Sequence, residues 1–185
     1  MSLVSAFNIG FLNGWLLVLP LIGSLILQAR VAGVREKGEK SSLDYLSTTE
    51  RNVLFLMQTI ISLSYVYSIF LPLRLDTTFF YIGFFVYLVG LSFSSQGILR
   101  FANSSQDSLV VGGLYRFSRH PMYVGWLFVY VGIGIACMSW LYLLLTTFLM
   151  ILVHILVKAE ESWCLEKYGD DYREYMEKTP KWLVR

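Results

Sequence analysis

Two groups of polar residues stand out in an otherwise apolar chain, and their side chains suit the binding of a charged small molecule. The first is Arg119, His120 and Pro121, in which the proline favours the first turn of a helix. Basic side chains and free backbone N–H groups at a helix N-terminus attract anions. The second is the carboxylate pair Glu160 and Glu161, which attracts cations. Side by side, the two groups would form a receptor for a zwitterion with an additional positive centre.

Simpler interpretations of these residues also exist. Basic residues at a helix start can anchor lipid headgroups, and two adjacent glutamates can form a solvated helix face. His154 is more informative, because an ionisable residue within an apolar run is a functional candidate by default. On a helix His154, Lys158 and Glu161 share one face, whereas Glu160 points about 100° away. A histidine that only hydrogen-bonds to a neighbouring helix explains His154 equally well.

Several other kinds of chemistry are not expected. Two distant histidines and two separated cysteines give no metal-ligand spacing, so we expect no metal site. No nucleophile, histidine and acid can be assembled into a catalytic triad. The net charge of +2 is not gathered into a basic stripe, so nucleic acid is not an expected partner. Cys137 and Cys164 are predicted to lie on opposite sides of a membrane and to be free thiols.

Long uncharged runs must position these residues, and they predict helices that cross a membrane. The chain is 56% hydrophobic and only 15% charged, which excludes a soluble enzyme, a secreted disulfide scaffold and a disordered protein. No Lys, Arg, Asp or Glu occurs in four runs: Met1 to Ala29, Asn52 to Leu73, Thr77 to Leu99 and His120 to Val157. Each of the first three fits one crossing of about 20 residues. The fourth would form a helix of about 57 Å, so we expect it to fold back as a hairpin between Gly132 and Ser139.

The fold class that follows is an all-α integral membrane protein with five transmembrane helices, the last two forming a helical hairpin, plus a cytoplasmic C-terminal helical tail. Residues 1–185 form a single domain, in which 1–99 hold three transmembrane helices. In the tail, Gly169 is expected to stop one helix, Asp171 to cap the next and Pro180 to end it. All but one of the 15 Lys and Arg residues fall in alternate loops and in the tail. The positive-inside rule therefore places the N-terminus outside and the C-terminus and both polar groups in the cytoplasm.

The motifs of residues 100–185 resemble those of a known enzyme family. The residues that carry the likeness are Gly113-x-Tyr115-x-x-x-Arg119-His120-Pro121-x-Tyr123-x-Gly125, and then Glu160-Glu161 with Tyr168-Gly169-x-x-Tyr172-x-x-Tyr175 and Pro180. Both elements occur in order and are separated by the predicted hairpin. This part of the chain resembles the isoprenylcysteine carboxyl methyltransferases and the wider superfamily that holds the phospholipid and other small membrane methyltransferases.

The resemblance implies a methyltransferase that uses S-adenosylmethionine, with residues 100–185 as its cofactor-binding region. By likeness to the family, the cofactor-binding residues are Leu109, Val110, Tyr115, His120, Pro121, Met122, Tyr123 and Glu160. Arg119 and Glu161 are then predicted to be catalytic. The implied acceptor is a lipid, a prenylated compound or a small hydrophobic thiol taken from the membrane. Methyl transfer needs positioning and exclusion of water rather than a metal.

One departure from the family pattern and two rival interpretations stay open. The isoprenylcysteine enzymes have an arginine four residues before the first glutamate, where this chain has Leu156, and the lysine at 158 cannot reproduce a bidentate fork. That argues against a prenylated-cysteine carboxylate as acceptor. The first rival is an NADPH-dependent sterol or steroid reductase, whose C-terminal half has a similar Lys167-Tyr168-Gly169 pattern. The second is a non-catalytic membrane scaffold or transporter that retains the pocket.

Overall fold

A computed structural model describes residues 9–35, 46–104 and 108–183 of the chain, and this part is helical without strands. The helices are α1 (Trp15–Arg35), α2 (Thr48–Ser68), α3 (Thr78–Ala102), α4 (Pro121–Ala136), α5 (Trp140–Tyr168) and α6 (Asp170–Lys178). A short 3-10 turn at Gly113–Arg116 precedes α4. The predicted all-α class is confirmed.

Two of these helices, α3 and α5, are long and apolar enough to cross a membrane. Trp15–Arg30 of α1 and the whole of α4 are apolar but shorter. Large apolar side chains such as Phe55, Phe85 and Leu144 are exposed on the outer surface of the bundle. Extended apolar surface of this kind is typical of a membrane or partner contact. The count of five transmembrane helices and the orientation remain predictions.

The predicted hairpin is present, and its turn lies where the glycine-rich segment placed it. Helix α4 ends at Ala136 and α5 begins at Trp140. Met138 in the turn has a φ of 51°, and the Ser139 side chain caps α5 by accepting a hydrogen bond from the Tyr142 N–H at 3.3 Å. Because α4 and α5 run antiparallel from this turn, the start of α4 lies beside the far, polar end of α5.

Glycines allow α3 and α4 to pack with their backbones nearly in contact. A Cβ atom on Gly125 of α4 would lie 2.5 Å from the Ser94 backbone nitrogen, and one on Gly90 of α3 would lie 2.6 Å from that of Val129. Small residues permit this close approach between helices in a membrane. The position of α4, and with it the start of the site, is therefore fixed by α3.

The tail continues α5 beyond its apolar part and then folds back. Gly169 has a φ of 56°, in the left-handed region that favours glycine, and it ends α5 as predicted. The prediction that Asp171 caps the next helix was wrong, because Gly169 is the N-cap of α6 and no side chain caps it. Asp170 and Asp171 instead occupy the first turn, where their charge suits the helix dipole. The inward face of α6 buries Tyr172 and Tyr175.

Candidate active site

The hairpin brings both polar groups of the sequence together at one end of the bundle. His120 precedes α4, and its ring nitrogens lie 3.2 Å from Glu161 Oε1 and 3.8 Å from Glu160 Oε2. Arg119 Nη2 lies 2.8 Å from the same Glu161 oxygen, and Lys181 Nζ lies 2.6 Å from Glu161 Oε2. We call these five residues the polar centre. The two glutamates of this centre lie on α5 just beyond residue 157, where the uncharged run ends.

Glu161 holds the polar centre together. Its residue is only 7% exposed, and each of its carboxylate oxygens has a cationic partner. Burial alone raises the pKa of Glu161, but the hydrogen bonds with His120 and Lys181 and the charge of Arg119 outweigh it and lower this pKa to about 2. Glu161 is therefore a carboxylate at neutral pH, and its charge is already balanced by this chain's own side chains.

Glu160 differs from its neighbour in exposure and partners. Its side chain is 38% exposed, and its Oε2 accepts a hydrogen bond from the Tyr123 hydroxyl at 3.3 Å. The two adjacent carboxylates thus point in different directions, as expected for consecutive residues on a helix. Glu160 is the carboxylate of the pair that a ligand can reach from solvent.

Several hydrogen-bond donors at the start of α4 are already paired with other groups of this chain. The Arg119 backbone N–H donates to Pro180 O at 3.0 Å, and the His120 N–H donates to Ser118 Oγ at 3.1 Å. Arg119 Nη1 donates to Met176 O at 3.3 Å. Among the described residues, however, the buried Nε of Arg119 has no hydrogen-bond partner. Buried polar groups are normally paired, so this donor is suited to an acceptor supplied by a ligand.

A cleft of about 850 Å³ lies between the 3-10 turn and α6, and the five residues of the polar centre are not among those that line it. Two predicted cofactor residues, Leu109 and Tyr115, line it, together with Gly112 and Gly113, whose φ values of 124° and 57° require glycine. Its charged lining residues carry both signs: Arg100, Arg116, Lys178, Asp171 and Glu174. The volume is within the usual range for small-molecule pockets, and the mixed charges suit a zwitterion. A nucleoside-sized cofactor therefore fits this part of the protein.

The other predicted site residues have varied positions. Val110 packs with Leu109 against the aromatic cluster of Tyr115, Tyr172 and Tyr175. Pro121 is fully buried at the first position of α4.

Two further members of the predicted set lie on the first turn of α4. The side chain of Met122 packs against Gly97 of α3. The ring of Tyr123 lies 5.9 Å from that of His120 and 5.3 Å from that of Trp126. Tyr123, His120 and Glu160 are thus in one place, whereas Leu109 and Val110 belong to the neighbouring cleft and cluster.

Sequence reasoning missed Lys181, which belongs to the polar centre, and Trp182, which lies next to it. Both follow Pro180, and the Lys181 carbonyl accepts a hydrogen bond from Ser118 Oγ at 3.0 Å. The ring of Trp182 lies 5.9 Å from that of His120. The available signal was a basic and an aromatic residue directly after Pro180. No local pattern relates these two residues to residues about 60 positions earlier.

The position that the isoprenylcysteine enzymes fill with arginine is apolar in structure as well as in sequence. Leu156 packs against the main hydrophobic core. Lys158 is exposed on α5.

Comparison with known families assigns the chain. It belongs to the phospholipid methyltransferase family, whose model matches residues 52–171, about two thirds of the sequence. The match begins in α2, so it extends upstream of the motifs that the sequence analysis used. No curated protein and no solved structure matches the chain significantly. The resemblance to the wider superfamily of membrane methyltransferases is confirmed, and methyltransferase activity follows from membership of this family.

Proposed function

We propose that this protein transfers a methyl group from S-adenosylmethionine to a lipid acceptor at the boundary between membrane and cytosol. The observation that carries the proposal is the contact between His120 and the Glu160–Glu161 pair, in a chain of the phospholipid methyltransferase family that also has a nucleoside-sized cleft between the 3-10 turn and α6. The orientation expected from the positive-inside rule, with the polar centre in the cytoplasm, belongs to the same proposal.

The cofactor would be held by residues of the cleft and the polar centre. Leu109 and Tyr115 offer an apolar and aromatic wall to its nucleoside, and Glu160 offers a reachable carboxylate to its amino group. The buried Nε of Arg119 is a donor suited to a carboxylate. Bound there, the cofactor supplies a methyl group on a positively charged sulfur, which a nucleophile takes while sulfur keeps the electrons of the broken bond.

Arg119 and Glu161, predicted from the resemblance to be catalytic, have a role that their contacts suggest. Both side chains are 9% exposed and are paired with each other at 2.8 Å. Glu161 also fixes one nitrogen of the His120 ring at 3.2 Å. We assign them the task of holding His120 and the start of α4 in place, which is how a chain supplies the positioning that methyl transfer requires.

The acceptor is proposed to keep its apolar part in the membrane. A narrow apolar slot of about 40 Å³ lies between α2, α4 and α5, and Tyr123 and Trp126 are among its lining residues. This volume is too small for an acyl chain, and the almost wholly apolar lining does not suit a polar headgroup, so the acceptor is expected to remain outside the slot. Leu156 stands where the isoprenylcysteine enzymes have an arginine that can bind a carboxylate through two hydrogen bonds. A phospholipid headgroup therefore fits the chain better than a prenylcysteine carboxylate.

Transfer of a labelled methyl group tests the proposal. Purified protein is incubated with methyl-labelled S-adenosylmethionine and vesicles of phosphatidylethanolamine and phosphatidylglycerol, and the lipids are then extracted. Label in the lipid fraction, lost when Glu160 is replaced by alanine, is the expected result. Turnover of NADPH with a sterol substrate, without any methyl transfer or binding of S-adenosylhomocysteine, would instead establish the reductase alternative.

A further inference from the structure

The residues that follow α6 cross the start of α4 and are held there by three kinds of contact. The Arg119 N–H donates to Pro180 O, and Ser118 Oγ donates to the Lys181 carbonyl, both at 3.0 Å. The Lys181 ammonium group pairs with Glu161 at 2.6 Å. Backbone bonds and a largely buried ion pair together define where the next residue, Trp182, must lie.

Trp182 lies beside both histidines of the chain. Its ring lies 5.9 Å from that of His120 and 6.2 Å from that of His154. The two histidines have opposite environments, because His120 is 6% exposed within the polar centre and His154 is exposed on α5. The indole therefore lies near both the polar centre and the outer surface of α5, where it could form a wall between the two.

The outer surface around His154 is apolar on one side of this residue, and the exposed Lys158 marks its polar end. Ile151 and Ile155, which flank His154 on α5, are both exposed. In a helix apolar enough to cross a membrane, such a face is typically in contact with lipid. Glu160 is reached from a different direction, through the part of its side chain that is open to solvent. The polar centre thus has a solvent-exposed side at Glu160, and Trp182 lies on the side nearest the exposed His154 of α5.

We infer that Trp182 is a specificity-determining residue, which closes the lipid-side approach to the polar centre and limits which acceptor headgroup passes from His154 to His120. This inference rests on the proposed methyltransferase function for the identity of the acceptor. An indole suits the position, since its apolar body and polar N–H favour the membrane interface. Trp182 acts by exclusion and takes no part in the methyl transfer itself.

Chemical modification of histidine tests the wall without any need for turnover. The full chain in detergent is treated with diethyl pyrocarbonate, and the two histidines are followed separately by mass spectrometry. We expect His154 to react rapidly and His120 slowly in the wild type. In Trp182→Ala the modification rate of His120 should rise severalfold, whereas Trp182→Phe, which keeps a ring, should remain close to the wild type. Trp163→Ala removes a tryptophan elsewhere on α5 and is the matched control.

The acceptor route is tested on the same variants with labelled S-adenosylmethionine and phosphatidylethanolamine vesicles. Trp182→Ala should change the KM for the vesicle lipid severalfold while the affinity for S-adenosylhomocysteine stays within about twofold of the wild type, since a twofold change is only about 0.4 kcal/mol. If the reactivity of His120 is unchanged in a folded Trp182→Ala protein, the inference that Trp182 shields His120 is wrong. If the reactivity of His120 increases but the KM for the lipid is unchanged, Trp182 shields His120 without determining acceptor specificity. Absence of S-adenosylhomocysteine binding in the wild type would contradict the proposed function, and the histidine result would still decide whether the wall exists.

Discussion

His120 Nε2 lies 3.2 Å from Oε1 of Glu161, although 41 residues separate them in the sequence. The contact exists because α4 and α5 form an antiparallel hairpin, which brings the start of α4 beside the polar part of the longer α5. It joins a helix start that carries Arg119 to a carboxylate pair, so that both signs of charge meet at one end of the bundle. This arrangement is what distinguishes a candidate binding site from an ordinary row of headgroup-anchoring residues.

Replacing Glu160 by alanine should weaken the binding of S-adenosylhomocysteine about 10- to 100-fold, the range for losing one hydrogen bond to a charged group. The physical reason is that Glu160 is the more exposed carboxylate of the pair and the one proposed to meet the ligand's amino group. Isothermal titration calorimetry of the purified protein in detergent measures the change. Glu166→Ala removes an exposed carboxylate from the same helix and should bind normally. Equal losses in both variants would point to a general effect of charge and not to a site.

Replacing Tyr123 by phenylalanine should have a smaller effect of the same sign. The change removes only the hydroxyl that donates to Glu160 at 3.3 Å and leaves the ring against His120. The hydroxyl acts on the ligand only by orienting Glu160, so a roughly 2- to 10-fold loss of affinity, about 0.5–1.5 kcal/mol, is expected in the same titration. If Tyr123→Phe lost as much as Glu160→Ala, the hydroxyl would have a direct role that the present account does not give it.

Replacing Glu161 by glutamine should destabilise the protein at neutral pH and much less in acid. Its pKa falls from 4.5 to about 2 on folding, so the folded state favours the carboxylate. The ionised Glu161 therefore contributes on the order of 3 kcal/mol to the free energy of unfolding. This contribution is complete above pH 4.5 and disappears as the pH falls toward 2.

Denaturant unfolding in detergent measures this effect at several pH values. The difference in unfolding free energy between wild type and Glu161→Gln should stay nearly constant from pH 7 to about pH 5 and then shrink as the pH falls toward 2. Glu174→Gln, at a fully exposed pair with Lys178, serves as the control and should show little difference throughout. A difference for Glu161→Gln that does not depend on pH would mean that the charge of Glu161 is not what stabilises the polar centre.

Replacing Gly125 by alanine should lower the thermal stability of the whole bundle. The added Cβ would meet the backbone of α3 at 2.5 Å, and backbone atoms cannot move aside as a flexible side chain can. Overpacking of this kind costs about 1–3 kcal/mol or more. Gly23→Ala is the control, because nothing lies within 4 Å of a Cβ at that position. Similar melting temperatures for the two variants would show that α3 and α4 are not held as closely as described.

Local patterns in the sequence were sufficient for the hairpin and for the placement of the carboxylate pair. The length of the uncharged run from His120 to Val157 required a turn, and consecutive positions on a helix required Glu160 and Glu161 to point apart. The helix angle did not show which of the two would be buried, because that depends on Lys181 and Arg119 reaching it from other segments.

The tail was the part that local patterns could not resolve. The cap of α6 was misassigned to Asp171, since Gly169 both ends α5 and begins α6 and leaves no room for a side-chain cap. The position of Trp182 depends on hydrogen bonds from Ser118 and Arg119 to residues 180 and 181, which are long-range contacts without a periodic signature. Short-range propensity therefore predicted the helices of the site but not the segment that covers it.

The most direct measurement is calorimetric titration of the full-length wild-type protein in detergent with S-adenosylhomocysteine and, separately, with NADPH. The account predicts saturable binding of S-adenosylhomocysteine with a Kd in the range of about 1 µM to 1 mM, typical of small metabolites, and no binding of NADPH. If the folded protein does not bind S-adenosylhomocysteine, the proposed cofactor is contradicted, because the cleft and the polar centre would then have been assigned to the wrong ligand.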